Sequence, residues 1–127
     1  MLKTVDYSNF EWILVVAKSR VDSFSNGILE ARIAKLIEEG AQFLAIDLRT
    51  TRFLSLAAIR YLVTVGHQLA ERGGYLGLVG PSDKTKRHFE IYGQIDHMIL
   101  IPPVHQMKVS REVDLVADRG SNEGVSL

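Results

Sequence analysis

Three hydroxyl side chains, Thr50, Thr51 and Ser55, lie close together in the polar segment between an apolar run and an apolar-periodic segment. Each is a group to which a kinase can transfer phosphate. Ser55 stands where a helix N-cap belongs, at the positive end of a helix dipole, where a phosphate or an acidic partner is easily accommodated. The plainer alternative is that Ser55 caps the helix, and that Thr50 and Thr51 bond the local backbone.

Other chemistry finds little support in the sequence. Asp47 ends an apolar run, but no base, nucleophile or Gly-rich phosphate loop accompanies it, so we interpret it as a structural residue of the turn. The four His residues share no ligand spacing and the chain contains no Cys, so we predict no metal site and no disulfide. We therefore expect a protein that is not an enzyme and that needs no cofactor.

The composition argues against nucleic-acid and membrane partners. Fifteen basic and fifteen acidic side chains cancel, so no global field attracts an anionic polymer or an anionic membrane. The small basic cluster at Lys84–His88 is interpreted as a solvated helix face. No apolar run approaches the roughly 18–20 residues that span a bilayer, and the N-terminus lacks a signal-peptide hydrophobic region. We expect a soluble cytoplasmic protein without direct membrane insertion.

Short apolar runs alternate with amphipathic segments along the chain. The runs predicted as strands are Trp12–Ala17, Phe43–Leu48, Tyr75–Val79 and Met98–Ile101. The segments predicted as helices run from Ser25 or Asn26 to Glu39, from Leu56 to Arg72, and from Ser82 or Asp83 to Tyr92, with a final turn of helix at Arg111–Ala117. This order predicts a single α/β domain: a mixed, mostly parallel sheet of four to five strands with helices packed on it. We place the domain at residues 1–117 and a polar, flexible tail at 118–127.

The central motif and its surroundings resemble the STAS domain, the fold of bacterial anti-sigma factor antagonists. The residues that carry the resemblance occur in the family's order. They are Val21-Asp22 after the first strand, Ala45-Ile46-Asp47-Leu48 in the central strand, Ile59-Arg60 in the next helix, the third-strand segment from Arg72 to Gly80, and Phe89-Glu90-Ile91-Tyr92-Gly93 at a helix end. The resemblance implies the STAS fold over roughly Trp12 to Pro102.

In that family the second helix opens with an Asp-Ser-Ser-Gly-Leu-type motif that carries the phosphorylated residue. The corresponding residues here are Ser55-Leu56-Ala57-Ala58-Ile59, so Leu56, which has no hydroxyl, stands at the phosphorylated position. The resemblance implies a protein-interaction module that regulates transcription by binding a kinase-type anti-sigma factor, with a degenerate phosphorylation site. Ser55, Thr50 and Thr51 remain the candidate phosphoacceptors.

The resemblance also implies which residues meet the partner. They surround the start of the second helix and two turns expected at the same edge, Lys18–Ser25 and Arg49–Ser55. The partner-binding residues predicted on this basis are Asp22, Arg52, Ser55, Leu56, Ala57, Ala58 and Arg60. The alternative is a structural STAS subunit of a larger assembly, such as a stressosome or a lipid-transport ABC complex. A homodimer is also compatible with the sequence.

Overall fold

The computed structural model describes residues 7–22, 26–92, 98–101 and 107–115. Within these residues, one 3-10 turn at Tyr7–Asn9 is followed by seven strands and three α-helices in the order β1, β2, α1, β3, β4, α2, β5, α3, β6, β7. The strands are β1 (Glu11–Val16), β2 (Arg20–Val21), β3 (Phe43–Asp47), β4 (Phe53–Leu54), β5 (Tyr75–Val79), β6 (Met98–Ile101) and β7 (Lys108–Asp114). The helices are α1 (Asn26–Glu38), α2 (Leu56–Ala70) and α3 (Asp83–Tyr92).

Five of the strands form one sheet in the order β6-β5-β3-β1-β7, and β2 and β4 form a separate two-stranded ladder. Every pairing between described strands is parallel. Parallel neighbours need crossover connections, which the three helices supply. The predicted α/β architecture, with its mostly parallel sheet and packed helices, is confirmed.

The two faces of the sheet carry two separate apolar clusters, because side chains alternate along each strand. The first includes side chains from each of the three helices. Ile33, Leu62 and Phe89 belong to it together with strand residues such as Ile46 and Leu78. The second contains Trp12, Ala45, Ile99 and their neighbours on the opposite face, together with the stacked rings of Phe10 and Phe43. Burial on both faces explains why the strands are continuous apolar runs rather than alternating ones.

Helix α2 ends where its glycines predict. The N–H of Gly74 donates to the carbonyl of Leu69 at 2.8 Å, and Gly73 adopts a positive φ of 76°. Such left-handed geometry closes a helix with little cost only for glycine. The chain then enters β5 beside β3, where the N–H of Tyr75 donates to the carbonyl of Gln42 at 3.1 Å.

The prediction of a final helical turn at Arg111–Ala117 is wrong for the part of that segment that the structure describes. Residues Lys108–Asp114 form β7, which pairs in parallel with β1. The segment is short and contains the β-branched residues Val109 and Val113, which favour a strand. As a strand, its backbone N–H and C=O groups pair with those along the edge of β1, which a helical turn here would leave unpaired. The ladder slips by one residue at Ser110, whose hydroxyl donates to the carbonyl of Trp12 at 3.3 Å. The tail predicted from Asp118 onward lies outside the described residues.

Candidate functional site

The turns that follow β1 and β3 meet at one edge of the sheet, because the carboxyl ends of parallel strands share an edge. The N–H of Arg52 donates to the carbonyl of Ser19 at 2.7 Å, and the N–H of Ser55 donates to the carbonyl of Val21 at 2.8 Å. Strands β2 and β4 are the two-residue ladder that results. The predicted convergence of these two turns is therefore observed for the described residues up to Asp22.

Ser55 is the N-cap of α2. Its backbone is extended, with φ −66° and ψ 158°, and its Oγ accepts a hydrogen bond from the N–H of Ala58 at 3.1 Å. The capping interpretation of this residue is confirmed, and the bond satisfies one of the amides that the first turn of a helix leaves unpaired. The cap fixes the direction in which the first turn of α2 presents its side chains.

The first turn of α2 separates the predicted partner-binding residues into exposed and buried ones. Leu56 is 39% exposed, and Ala57 and Arg60 are exposed as well. Ala58 is completely buried in the core, so its inclusion among surface residues is corrected. It lies on the face of α2 that packs against the sheet, next to Ile59, and has no surface to offer a partner.

A shallow apolar groove adjoins Leu56. Its walls are formed by Phe53, Leu56 and His88, and its floor by the buried side chains of Leu54 and Ile59. The groove has a volume of about 220 Å³, and Phe53 is 39% exposed at its rim. Large apolar side chains that stay in water next to each other are typical of a surface that another molecule covers.

One cationic side chain contacts the rim of this groove, and two others are close to it in the sequence. The guanidinium of Arg20 lies over the ring of Phe53, 4.4 Å from its centroid, and its Nε donates to the Asp22 carboxylate at 3.2 Å. Arg52 and Arg60 are exposed nearby in sequence, before and within the first turns of α2. We call the set Arg20, Asp22, Arg52, Phe53, Leu56 and Arg60 the docking surface. It contains three cations, one carboxylate and two exposed apolar side chains.

The two threonines of the turn differ in accessibility. Thr50 is exposed, whereas Thr51 is 5% exposed and its hydroxyl donates to the carbonyl of Lys18 at 2.9 Å. A kinase must reach the hydroxyl oxygen, so burial and this hydrogen bond disfavour phosphorylation of Thr51 in the folded protein. Among the three predicted phosphoacceptors, Thr50 and the half-buried Ser55 are the more accessible.

Asp47 holds the turn after β3. The residue is 5% exposed, and its carboxylate accepts hydrogen bonds from Nε of Arg49 at 2.9 Å, from its Nη2 at 2.7 Å and from its backbone N–H at 3.0 Å. Burial favours the neutral acid, but the hydrogen bonds and the charge of Arg49 outweigh it and hold the pKa of Asp47 below its usual value. The same pairing raises the pKa of Arg49. The Asp47 carboxylate therefore has a structural role in the turn, as proposed from the sequence.

A comparison with protein-family models identifies the family of this chain. The model of the STAS domain matches residues 4–109, which is most of the chain. The chain belongs to the STAS family. A comparison with curated proteins gives no match. The family supports a general role for this STAS domain as a module that binds other proteins.

Two further observations concern the described part of this STAS domain. None of the helices seen there is long and apolar enough to cross a membrane. Within the same residues, no group of three or more His, Cys, Asp or Glu side chains is placed to hold a metal ion.

Three residues of the site were not named among the predicted partner-binding residues: Arg20, Phe53 and His88. Arg20 and Phe53 do lie in the two turns that were predicted to form the surface. Phe53 and Arg20 meet through two-residue strands, which are too short to show a periodic pattern, and His88 comes from α3, more than thirty residues away. The one local signal was Phe53 itself, a large aromatic residue two positions before the cap Ser55. An aromatic residue in a polar turn is a reason to look for a surface contact.

Proposed function

We propose that this STAS domain is a non-enzymatic protein-interaction module that acts as an anti-sigma factor antagonist. It binds a kinase-type anti-sigma factor through the docking surface and so regulates the activity of a sigma factor. The observation that carries the proposal is the exposure of Leu56 at the first position of α2, beside exposed Phe53 and an apolar groove. The protein acts in the cytoplasm, where its partner would be found.

The chemistry of the docking surface describes the partner. Two exposed apolar side chains, Phe53 and Leu56, supply area to bury. Arg20 lies over the Phe53 ring, and Arg52 and Arg60 are exposed close by in the sequence. Hot spots of interfaces combine buried apolar anchors with arginine, and complementary charge speeds association. The partner therefore presents an apolar side chain to the groove and acidic side chains around it.

The identity of residue 56 bears on regulation. In related antagonists phosphate at this position adds about −1.5 to −2 charges and blocks binding. Leu56 has no acceptor oxygen, and the oxygen of the preceding residue, Ser55, already accepts the Ala58 N–H. The proposed complex is therefore not switched off by phosphorylation at position 56.

A second candidate function is a structural subunit of a larger assembly, such as a stressosome or a lipid-transport ABC complex. The apolar character of Leu56 favours it as well, because permanent interfaces are more apolar than regulated ones. In that case the docking surface contacts another STAS domain or a transporter component. Self-association into a homodimer belongs to this candidate.

The identity of the bound partner separates the two candidates. The purified chain is mixed with the kinase-type anti-sigma factor of the same organism, with and without ATP, and complex formation is followed by size-exclusion chromatography and calorimetric titration. We expect a complex that persists after prolonged incubation with ATP. Lack of binding to the kinase, with binding to transporter or STAS-assembly components, would replace the first candidate by the second.

A further inference from the structure

A second concave site lies away from the docking surface, between α1 and the edge strand β7. Five described side chains line it: Arg32, Lys35, Leu36, Arg111 and Val113. Its volume is about 260 Å³. Leu36 and Val113 are buried and belong to the helix-side core, so they form an apolar floor beneath three cationic side chains.

The three cations converge from two different elements. Arg32 and Lys35 are three residues apart on α1 and share a face of that helix, and Arg111 projects toward the same side from β7. Like charges at this spacing repel each other, and the described lining contains no acidic side chain. Because the whole chain has a net charge of zero, this excess of positive charge is local.

The neighbouring carboxylate neutralises only part of that charge. Nη1 of Arg111 lies 3.2 Å from Oε1 of Glu39, in an ion pair whose side chains are 54% and 46% exposed. Surface pairs of this kind contribute little and rearrange easily. Arg32 is engaged in another interaction, so Lys35 and Arg111 are the two cations assigned to ligand binding.

We propose that this cavity binds a small polyanion that carries phosphate or carboxylate groups. Arginine matches the planar carboxylate and the phosphate with paired hydrogen bonds, and lysine adds a compact charge. Unlike mostly apolar ligand pockets, this cavity has three cationic side chains above an apolar floor, which suits an anion. Pockets for drug-sized ligands hold about 300–1,000 Å³. The cavity lies just below that range, so its ligand is small. The proposal is independent of the docking surface.

Calorimetric titration of the purified chain with inorganic pyrophosphate and, separately, with citrate tests the proposal at constant ionic strength. We expect saturable binding to one site per chain for at least one probe. Binding of pyrophosphate alone assigns the site to phosphate esters, and binding of citrate alone assigns it to polycarboxylates. Absence of saturable binding for both probes overturns the proposal.

A pair of double variants shows where the probe binds. Lys35→Gln with Arg111→Gln removes two cations from the cavity, and Lys84→Gln with Arg87→Gln removes two exposed cations from α3. We expect the first to weaken binding at least tenfold and the second to leave it unchanged. Equal weakening in both means general charge attraction and contradicts the site. If circular dichroism shows that the first double variant does not fold, Lys35→Gln alone carries the same comparison.

Discussion

The guanidinium carbon of Arg20 lies 4.4 Å from the centre of the Phe53 ring. The two residues are paired opposite each other in the parallel ladder of β2 and β4. This contact brings an apolar ring and a cation from separate turns to the same place, next to the start of α2. A cation over an aromatic face is worth about 0.5–1 kcal/mol at an exposed site, so it orders the surface without contributing much to overall stability.

The core assignment is tested by truncating one strand residue and one helix residue. Ile46 in β3 and Leu62 in α2 are both completely buried. Ile46→Ala and Leu62→Ala should each lower the free energy of unfolding by about 2–5 kcal/mol, because each leaves a cavity that the neighbours fill only partly. Urea denaturation measures the change. Leu56→Ala is the matched control, and a loss below about 0.5 kcal/mol for either core variant would contradict the assignment.

The capping role of Ser55 predicts a smaller loss that depends on the chemistry of the replacement. Ser55→Ala removes the oxygen that accepts the Ala58 N–H and should cost about 1 kcal/mol in the free energy of unfolding. Ser55→Asp restores an acceptor and should retain most of the wild-type stability. Thr50→Ala, at an exposed position in the same turn, serves as the control. Equal stability of the alanine and aspartate variants would show that the cap contributes nothing.

The Asp47–Arg49 pair predicts a stability that depends on pH. The folded-state pKa of Asp47 is lowered, so the folded protein binds the proton more weakly than the unfolded chain does. Asp47 therefore contributes fully to the free energy of unfolding at pH values above its pKa in the unfolded chain, about 3.9. This contribution is lost as the pH falls through its pKa in the folded protein. The advantage of the wild type over Asp47→Asn should therefore shrink as the pH is lowered from about 6 to 3.

Urea denaturation at several pH values measures this advantage. Asp83→Asn is the control, because the Asp83 side chain is 85% exposed and its pair with Lys86 lies at the surface. Its curve should follow the wild-type curve. Parallel pH curves for wild type and Asp47→Asn would show that the Asp47–Arg49 pair does not contribute to the loss of stability at low pH.

The phosphorylation prediction follows from the chemistry of position 56 and the burial of Thr51. After incubation with ATP and the kinase-type anti-sigma factor, peptide mass spectrometry should find no phosphate on Leu56, which lacks an acceptor, or on Thr51, whose hydroxyl is buried. Stoichiometric phosphate on Thr50 or Ser55 would overturn the proposal of an unswitched antagonist. Thr50→Val and Ser55→Ala would then identify the modified residue.

The sequence was sufficient for the elements that have a pattern of their own. The apolar runs around Ile46 and Leu78 and the helical stripe through Leu62 predicted strands and helices within two residues of the observed ends. Glycine at 73 marked the end of α2 correctly because its positive φ is a local requirement. The convergence of the turns followed from the parallel topology alone.

The parts that failed depend on contacts distant in sequence. Strand β7 exists because β1 offers a free edge, which no window around Arg111 reveals. The burial of Ala58 depends on which face of α2 packs against the sheet. An alanine is found on both buried and exposed helix faces, so its type does not predict this. The contact between Arg20 and Phe53 needs two strands of two residues each. Local sequence patterns therefore predicted the strands and helices of the sheet better than the contacts on the exposed surface.

The proposed function requires the start of α2 to bind the partner, and Leu56→Asp changes the side chain at that position. An acidic residue in the first turn interacts favourably with the helix dipole, so the fold should tolerate it. At an apolar interface the same charge must be desolvated without a partner, which is costly. The control is Ile91→Asp on α3, because Ile91 is 67% exposed and does not line the groove.

The deciding measurement is a calorimetric titration of Leu56→Asp with the kinase-type anti-sigma factor, beside a thermal melt of the same variant. We predict a melting temperature close to that of the wild type and an affinity at least tenfold weaker, with Ile91→Asp unchanged in both. An unchanged affinity for Leu56→Asp in a folded protein would remove the start of α2 from the interface and contradict the claim.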